Sequence, residues 1–388
     1  MRIIFDARGV QRWSDGLSTY VRQTLTHVLR LDAANEYVVL LSPAFHEELA
    51  PTGVLERPNV RPVVTSIPFM GALQQLRMPW LIGRFAPSAL YHYPHFDMPL
   101  FAHPRSVVTI YDLNHISFTG YFDSLRGLKR FYSAAATAAT LARARHIMTI
   151  SNTTKSELIK RFPRLDPARI SVIYLGLSER FRAAPPAADL ALFRRKFGLG
   201  DDRFILYVGT HRPHKNLERL LSAYALLRRG AALPHKLLLV GTPREDGRLA
   251  SLIDAHALNG WVTHLGYLSS EELPLAYRAS EAFAFCSLSE GFGIPLLEAM
   301  ASRLPIVTSN FGAMAEVASD SAVLVDPFSP EAIADGLRRV LTSDTLRQEL
   351  IARGLARAQE FAWDAAARRT LEIYAHVARD GDQSCPSS

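Results

Sequence analysis

Residues 289–301 read Ser289-Glu290-Gly291-Phe292-Gly293-Ile294-Pro295-Leu296-Leu297-Glu298-Ala299-Met300-Ala301. The five apolar residues at 282–286 come shortly before them and predict a buried parallel strand. Pro295 suits the first turn of a following helix. This order of strand, glycine turn and helix is typical of an open parallel sheet, in which ligands bind at the carboxyl ends of the strands.

Two carboxylates frame this glycine turn. The predicted elements place Glu290 in the crevice between strand and helix, and Glu298 in the first turn of the helix. An ionised carboxylate only accepts hydrogen bonds, so each can hold a vicinal diol, and a nucleotide sugar carries one diol on its hexose and one on its ribose. The amides of residues 291–293 are expected to face the same crevice. For Glu298 the alternative is an acid that merely stabilises the helix dipole.

A second loop repeats this order of elements. It reads Gly209-Thr210-His211-Arg212-Pro213-His214-Lys215-Asn216 and lies between a predicted strand at 204–208 and a predicted helix at 216–229. Backbone amides and a lysine at a helix entry both face an anion. We therefore predict that Lys215 contacts a pyrophosphate, with Arg212 as a weaker second contact. The alternative for both is a solvated basic side chain.

Length and composition indicate a two-domain globular protein. The chain has 388 residues, of which 48% are hydrophobic and 21% charged. Its two cysteines, Cys286 and Cys385, lie in a predicted core strand and a polar tail, a usage typical of a reducing compartment without a disulfide or metal framework. Because the sequence has no run of eighteen apolar residues and enters a strand at once, neither a signal peptide nor a membrane span is expected.

The net charge of +7 is unevenly distributed. Residues 1–180 hold 21 Lys and Arg against 13 Asp and Glu, whereas the remaining 23 basic and 24 acidic residues nearly cancel. An anionic partner of the first half, such as membrane lipid, a lipid-linked pyrophosphate or nucleic acid, is one interpretation. A solvated basic surface is the other.

Alternating strand and helix patterns predict two doubly wound domains that face one another across a cleft. Strands are predicted at 3–5, 37–41, 106–111 and 146–151, and again at 204–208, 236–240, 262–265, 282–286, 305–309 and 322–325. The Ala- and Pro-rich residues 182–188 predict the linker. The predicted domains are residues 1–180 and 188–362, followed by a helix near 363–380 and a disordered tail at 381–388.

Three further features of the first half are ambiguous. Gly16, in Asp15-Gly16-Leu17-Ser18-Thr19-Tyr20, lets backbone approach a phosphate or simply forms a turn. Asp112 and His115 follow the strand at 106–111 and are candidates for handling an acceptor hydroxyl, with loop-fixing and structural roles as their alternatives. The stretches 71–93 and 126–131 combine arginines with large apolar residues, which suits either a membrane interface or a helix buried against the sheet.

The ordered motifs resemble glycosyltransferase family 4, whose members are retaining enzymes of the GT-B fold. They are Asp-Gly-Leu from Asp15, Tyr-Asp-Leu from Tyr111, Ile-Ser-Asn-Thr-Thr-Lys-Ser-Glu from Ile150, Tyr-Val-Gly-Thr-x5-Lys-Asn from Tyr207, Glu-Gly-Phe-Gly-Ile-Pro-x-x-Glu from Glu290 and Glu-Val-x5-Leu-Val-Asp-Pro from Glu316. The resemblance covers essentially the whole chain. It implies an α/β GT-B fold whose C-terminal helix crosses back onto the first domain.

The resemblance also assigns roles. Glu290 would hold the hydroxyls of the transferred sugar and Glu298 the ribose diol, while Lys215 would bind the diphosphate near the glycine loop at Gly16. Together with the candidates taken from the residues themselves, the predicted donor-binding set is Gly16, Gly209, Thr210, Arg212, Lys215, Glu290, Gly291, Phe292, Gly293, Ile294, Leu297 and Glu298. The predicted catalytic set is Glu290, Lys215, Asp112 and His115, and no metal site is expected.

Two positions depart from the family pattern. Many relatives have an arginine where Thr210 stands, and Arg212 is a candidate replacement. Many also have a histidine where Tyr111 stands, and only His115 is nearby in the sequence to take its place.

No carboxylate nucleophile is evident, so front-face displacement is the expected mechanism, with the leaving diphosphate helping to deprotonate the acceptor. Lys215 and backbone donors would stabilise that diphosphate. No Asp-x-Asp motif is present, and metal independence is expected. No cofactor is expected beyond the nucleotide-sugar co-substrate, GDP-mannose or a UDP-hexose, with GDP-mannose favoured.

The predicted acceptor is a glycan or lipid-linked saccharide of cell-surface polysaccharide synthesis. The predicted location is the cytoplasm, with the inner face of the cell membrane as a candidate peripheral contact, and no nucleic-acid partner is expected. Two alternatives stay open: a nucleotide-sugar 2-epimerase of the same fold, and an inactive sugar-nucleotide-binding partner subunit.

Overall fold

The computed structural model describes residues 1–10, 16–85, 89–101, 105–117, 126–230, 233–241 and 247–382. Asp15 and the predicted tail from residue 383 onward lie outside these ranges. The chain forms two compact units, Met1–Gly176 with Ala362–Ser388 and Leu177–Phe361. The crossing at Gly176 and Leu177 therefore comes before residues 182–188, where the sequence predicted a linker.

The first unit contains a seven-stranded parallel sheet in the order β3-β2-β1-β4-β5-β6-β7. Its strands are β1 Arg2–Asp6, β2 Glu36–Leu41, β3 Val60–Val64, β4 Leu90–Tyr93, β5 Ser106–Ile110, β6 His146–Thr149 and β7 Ile170–Val172. The helices of this unit that precede the crossing at Gly176 are α1 Gly16–Leu31, α2 Pro43–Leu49, α3 Ala72–Gly83, α4 Asn114–Ser117, α5 Arg126–Arg143 and α6 Asn152–Arg161.

The second unit contains a six-stranded parallel sheet in the order β10-β9-β8-β11-β12-β13. Its strands are β8 Phe204–Val208, β9 Lys236–Val240, β10 Val262–Gly266, β11 Ala282–Phe285, β12 Ile306–Ser309 and β13 Ala322–Val325. Its helices are α7 Ala187–Lys196, α8 Leu217–Gly230, α9 Gly247–Ala255, α10 Glu272–Arg278, α11 Ile294–Ala301, α12 Gly312–Ala318, α13 Pro330–Thr342 and α14 Asp344–Gln359.

The last helix, α15 Trp363–Asp382, belongs to the first unit. His27 of α1 lies 2.6 Å from a carboxylate oxygen of Asp364, and the Tyr374 hydroxyl lies 2.6 Å from Nδ1 of the buried His92 in β4. Space is tight where the helix begins, since a Cβ added to Gly176 would lie 2.2 Å from the Trp363 nitrogen. These polar and close contacts fix α15 against both α1 and the sheet.

Three strands of the first sheet were not predicted from the sequence, and each has a physical reason. β3 carries Pro62 and lies at the sheet edge, where a missing ladder donor is tolerated. β7 has only three residues and forms the opposite edge. β4, at the centre of the sheet, reads Leu-Tyr-His-Tyr and lacks the aliphatic run that identifies a buried strand.

Each sheet has one point where the direction of winding reverses. In the first sheet it lies between β1 and β4, and in the second between β8 and β11. Ligands of open parallel sheets bind outside the carboxyl ends of the strands at such a point. The loops after β8 and β11 are the two stretches from which the sequence predicted donor binding.

None of the helices in the described residues is both long enough and apolar enough to cross a lipid bilayer.

Candidate functional site

Lys215 and Glu290 form an ion pair at the reversal point of the second sheet. The lysine Nζ lies 2.7 Å from Oε1 and 3.0 Å from Oε2 of the carboxylate. Both side chains are largely buried, at 19% and 12% exposure. Only the contact with Oε2 has hydrogen-bond geometry, and Oε1 is buried without a hydrogen-bond partner among the described residues. Such an oxygen is costly to leave unsatisfied, and a substrate hydroxyl would supply the missing donor.

The two loops that carry this pair are bonded to each other. Asn216, in the left-handed conformation with φ 61°, donates from Nδ2 to the carbonyls of Cys286 and Pro327 at 2.9 and 2.7 Å. The Leu288 amide donates to the His214 carbonyl at 2.7 Å. Asparagine tolerates this backbone region better than most residues. These bonds hold the Lys215 and Glu290 loops in register.

The turn before α11 presents donors. The amides of Gly291, Gly293 and Ile294 donate to no acceptor within the described part of the chain. The ring of Phe292 is 2% exposed and packs edge-on against Phe361, with centroids 5.7 Å apart. The burial of this ring anchors the turn, so the amides stay oriented at the positive end of the helix, where anions bind.

Gly293 adopts a backbone conformation that favours glycine, and its Cα lies close to the flexible end of Met314. Its φ is +102°, and an added Cβ would lie 2.4 Å from Cε of Met314. We expect Gly293→Ala to cost about 1–3 kcal/mol of unfolding free energy through backbone strain alone, with the methionine contact adding to it. Chemical denaturation would measure this. Gly230→Ala, at a position with open space around the added methyl, is the control and should change stability far less.

Glu298 lies in the second turn of α11, not in the first as predicted from the sequence, because the helix begins at Ile294. The side chain is half-buried, and its Oε2 accepts a hydrogen bond from the Tyr277 hydroxyl at 2.7 Å. Burial raises the pKa of Glu298 to about 7, although the Tyr277 hydroxyl and Arg180 act in the opposite direction. Hydroxyl donors from a bound ribose would favour the ionised carboxylate.

This raised pKa predicts a pH-dependent stability. Between about pH 4.5 and pH 7, Glu298 keeps its proton in the native state but loses it in the unfolded state. The free energy of unfolding is therefore highest below about pH 4.5 in this respect, and the protein loses stability as the pH rises to about 7. Glu298→Gln should therefore become more stable relative to the unmodified protein as the pH is raised from about 5 to about 8. Thermal unfolding at several pH values checks this. A constant difference between the two proteins would contradict it.

The remaining candidates of the second unit lie around the pair. Thr210 is half-buried, and its carbonyl accepts from the Tyr207 hydroxyl at 3.1 Å. Gly209 donates its amide to the Val240 carbonyl at 2.9 Å. Burial is the main cause that lowers the pKa of His214, and the nearby charges of Lys215 and Arg212 lower it further. The Arg212 side chain itself is exposed. Arg212 therefore adds positive charge beside Lys215. Leu297 is buried beneath this surface.

In the first unit, the candidates Asp112 and His115 differ in accessibility. Asp112 is half-buried, and its Oδ1 accepts from the Asn114 amide at 2.9 Å, the contact expected of a loop-fixing side chain. His115 is 3% exposed, stacks on Phe96 at 3.8 Å between ring centroids and lies 3.1 Å from the Thr137 hydroxyl. Burial lowers its pKa to about 3. This geometry favours the structural alternative for His115.

Gly16 is the first residue of α1, and it is exposed with open space where a Cβ would be. The contact between Gly16 and a phosphate stays a prediction. Tyr111 contacts the ring of Tyr20 edge-on, with centroids 5.1 Å apart. A hydroxyl-bearing ring thus occupies the position where the family pattern has a histidine.

A polar cluster at the reversal point of the first sheet was not predicted from the sequence. Asp6, the last residue of β1, and Arg8, two residues further on, form a fully buried ion pair with 2.7 Å between Oδ2 and Nη2. His95 and Asp97, after β4, are joined by a 2.7 Å contact between Nδ1 and Oδ1. An ionisable residue directly after a predicted buried strand could have indicated this cluster in the sequence. His95 and Asp97 could not be found in this way, because β4 was not predicted as a strand.

Within the described ranges, no group of three or more His, Cys, Asp or Glu side chains is arranged to hold a metal ion. Metal independence stays a prediction.

Two family models match the chain. "Glycosyl transferases group 1" matches residues 191–357, and "Glycosyltransferase Family 4" matches residues 14–180. The "O-antigen chain mannosyltransferase B" of Escherichia coli is 33% identical over 305 residues, which is 78% of either chain. The chain belongs to glycosyltransferase family 4. A "D-inositol 3-phosphate glycosyltransferase" of Salinispora arenicola is another relative, 34% identical over 63% of this chain and 58% of its own length.

Solved structures give the same fold for this family-4 glycosyltransferase. Anabaena Alr3699/HepE in complex with UDP and glucose superposes with a TM-score of 0.74 at 18% identity, covering 97% of this chain and all of that one. WaaG, a glycosyltransferase involved in lipopolysaccharide biosynthesis, gives a TM-score of 0.73 at 16% identity, with coverage of 96% and 99%. The predicted GT-B fold is confirmed.

Proposed function

We propose that this glycosyltransferase moves mannose from GDP-mannose to a hydroxyl of a glycan or lipid-linked saccharide, with retention of the anomeric configuration. The observation that carries the proposal is the Lys215–Glu290 pair beside unpaired amides at the reversal point of the second sheet. One group there suits a diphosphate and the other a sugar hydroxyl.

The geometry suggests how donor binding proceeds. The diphosphate attracts the Lys215 ammonium and the amides of Gly291 and Gly293. As the lysine turns toward phosphate, both oxygens of Glu290 become acceptors for sugar hydroxyls. The ribose diol is assigned to Glu298, whose ionised form it would stabilise.

Transfer then needs little covalent participation by the protein. The bond from the anomeric carbon to the phosphate oxygen breaks while the acceptor oxygen bonds to the same face. Negative charge grows on the leaving diphosphate, where Lys215 and the amides at the start of α11 lower the barrier electrostatically. The acceptor proton passes to the leaving diphosphate in the simplest version of this mechanism. No metal is assigned a role.

The choice of mannose rests on relatives. The name of the Escherichia coli relative describes an O-antigen chain mannosyltransferase, and a "Serotype-specific mannosyltransferase WbdA" is 27% identical over 63% of this chain. Anabaena Alr3699/HepE was solved with UDP and glucose, which makes a UDP-hexose the competing donor. The same names support an acceptor in the synthesis of a cell-surface polysaccharide.

The test is a panel of GDP- and UDP-sugars incubated with purified protein and alkyl mannoside or membrane-extract acceptors. We expect acceptor-stimulated release of GDP from GDP-mannose, and an α-linked product by NMR. Stimulated release from a UDP-sugar alone would overturn the donor assignment. Formation of an epimer without acceptor would indicate the 2-epimerase, and donor binding without turnover would indicate an inactive partner subunit.

We also propose that the first unit contacts an anionic membrane through an apolar surface, defined by the exposed side chains Leu73, Leu76, Trp80, Phe101, Phe131 and Tyr132. Gln75 connects the segments that carry this surface, since its side chain accepts a hydrogen bond from the Leu100 amide at 2.8 Å and is also hydrogen-bonded to the Tyr132 side chain. Arg84 lies over Trp80 and Arg143 over Phe101, at 4.9 and 5.5 Å from the ring centroids. Arginines beside exposed aromatic rings suit lipid headgroups.

Replacing both Leu76 and Trp80 by Glu should abolish most binding to vesicles that contain phosphatidylglycerol. The change removes the two most exposed apolar side chains of α3, which are 77% and 69% exposed, and adds negative charge. Vesicle co-sedimentation measures the effect. Leu192→Glu, at a 60% exposed position of the second unit, is the control and should bind as before. Equal binding by all three proteins would contradict the proposal.

A further inference from the structure

Two phenylalanines stack on each other at the carboxyl edge of the second sheet. Phe311 follows β12 and Phe328 follows β13, and their rings are nearly parallel, at an interplanar angle of 12° with centroids 6.0 Å apart. Both side chains stay exposed, at 39% and 55%. Neighbouring exposed aromatic rings, unlike single apolar residues on a surface, indicate a binding site. These two rings are the aromatic platform of the second unit.

The loops that carry the aromatic platform are held in place by their own hydrogen bonds. The Asn310 amide donates to the Val325 carbonyl at 2.9 Å, which joins the loop after β12 to the end of β13. The Phe328 amide donates to Oδ1 of Asp326 at 2.9 Å. The rings are therefore presented in a fixed arrangement, and little conformational entropy is lost when a ligand binds to them.

The aromatic platform adjoins the loop of Lys215 and lies outside the donor site. Nδ2 of Asn216 donates at 2.7 Å to the carbonyl of Pro327, which directly precedes Phe328. Arg219 in α8 donates from Nη1 to Oδ1 of the same asparagine at 3.0 Å, and its guanidinium carbon lies 5.6 Å from the Phe328 ring centroid. All of these residues belong to the second unit. The platform thus extends the surface of the donor site toward β12 and β13, on the side opposite β9 and β10.

Polar groups around the platform can bond to a ligand. Arg219 is half-buried, and only its Nη1 has an acceptor in the part of the chain that the structure describes, so Nε and Nη2 remain as donors. Asn310 and Asp326 lie exposed in the same two loops and add an amide and a carboxylate. A pyranose ring has the complementary composition, with an apolar face of C–H bonds and a rim of hydroxyls.

Other classes of ligand fit the aromatic platform less well. The exposed parts of two phenylalanine side chains offer on the order of 200 Å², whereas a stable protein interface buries about 800 Å² on each partner. An anionic membrane would be repelled by the exposed carboxylate of Asp326. A single sugar ring is small enough for the platform and uncharged.

We propose that the aromatic platform and Arg219 form a second saccharide-binding site, which takes a pyranose ring of the glycan chain that the enzyme extends. The site lies within the second unit, apart from Lys215 and Glu290, and no covalent step takes place there. The inference goes beyond the donor site, and its choice of a mannose-containing chain rests on the proposed function. Binding at a second site raises the effective concentration of the chain at the enzyme.

The experiment measures binding of the full chain to soluble α-mannan by affinity electrophoresis, without any nucleotide sugar. Replacing Phe311 and Phe328 together by Leu keeps apolar side chains but removes the flat rings, and should weaken binding about 10-fold or more, as loss of a stacking surface does. Phe328→Tyr keeps a ring and should retain most of the affinity. Arg219→Met leaves both rings in place and should weaken binding several-fold, since hydroxyl contacts are lost. Phe131→Leu, at an exposed position of the first unit, is the matched control and should bind as the unmodified protein does.

The outcomes separate this inference from the proposed function, because the binding assay needs no donor. If the unmodified protein does not bind α-mannan, or if the double variant binds it equally well, the inference is wrong. If the double variant keeps its affinity for α-mannan but binds GDP more weakly, the platform holds the nucleobase and the inference is wrong as well. A protein that binds α-mannan through the platform but transfers mannose from no donor would retain this site and lose the proposed function.

Discussion

Replacing Glu290 by Gln is expected to lower kcat for mannose transfer about 100-fold or more, because a carboxylate with two hydroxyl contacts is reduced to a neutral amide. The substitution keeps the size of the side chain and removes the charge that pairs with Lys215 at 2.7 Å. Binding of GDP alone, which lacks the sugar, should be nearly unchanged. Steady-state kinetics and calorimetric titration with GDP measure the two effects.

The same change at an exposed acid serves as the control. Glu349 lies exposed on α14, 3.9 Å from Arg353, and Glu349→Gln should behave as the unmodified protein. Thermal unfolding of both variants separates loss of function from loss of fold. Unchanged turnover by a folded Glu290→Gln variant would show that the role assigned to Glu290 is wrong.

Lys215→Met should have the second large effect, but with a different signature. Methionine preserves the apolar stem over Phe285, whose ring centroid lies 5.3 Å from Nζ, and removes the ammonium. Because that charge is assigned to the diphosphate in both the bound and the transition state, GDP affinity and kcat should both fall. The loss in kcat is expected to be about 100- to 1000-fold, as for a group that stabilises developing charge.

A double-mutant cycle tests whether the two residues act together. If Lys215 and Glu290 only stabilised each other, the Lys215→Met and Glu290→Gln double variant would bind GDP like the unmodified protein. We expect instead that the double variant binds GDP as weakly as Lys215→Met alone, since the lysine makes the phosphate contact. Lys160→Met, at an exposed position of α6, is the matched control.

The second unit was largely predictable from the sequence because its signals are local. All six of its strands were predicted within a residue or two, since each is a short aliphatic or aromatic run followed by a polar loop. The glycine turn before α11 and the lysine before α8 lie within single motifs. Their position on adjacent strands then follows from the winding of the sheet.

Other parts of the site depend on contacts between distant residues. The ion pair joins positions 75 residues apart, and Asn216 reaches the Pro327 carbonyl 111 residues away. The raised pKa of Glu298 results from enclosure that no local pattern shows. His95 was overlooked because β4 lacks an aliphatic run, so its loop was not placed at the sheet edge.

The most direct test compares GDP and GDP-mannose binding to the unmodified protein and to Glu290→Gln by calorimetric titration. We expect the unmodified protein to bind the two ligands with different affinities, because the sugar contacts Glu290. We expect the variant to lose this difference while keeping its affinity for GDP. An identical sugar-dependent difference in both proteins would contradict the assignment of the Lys215–Glu290 pair as the donor site.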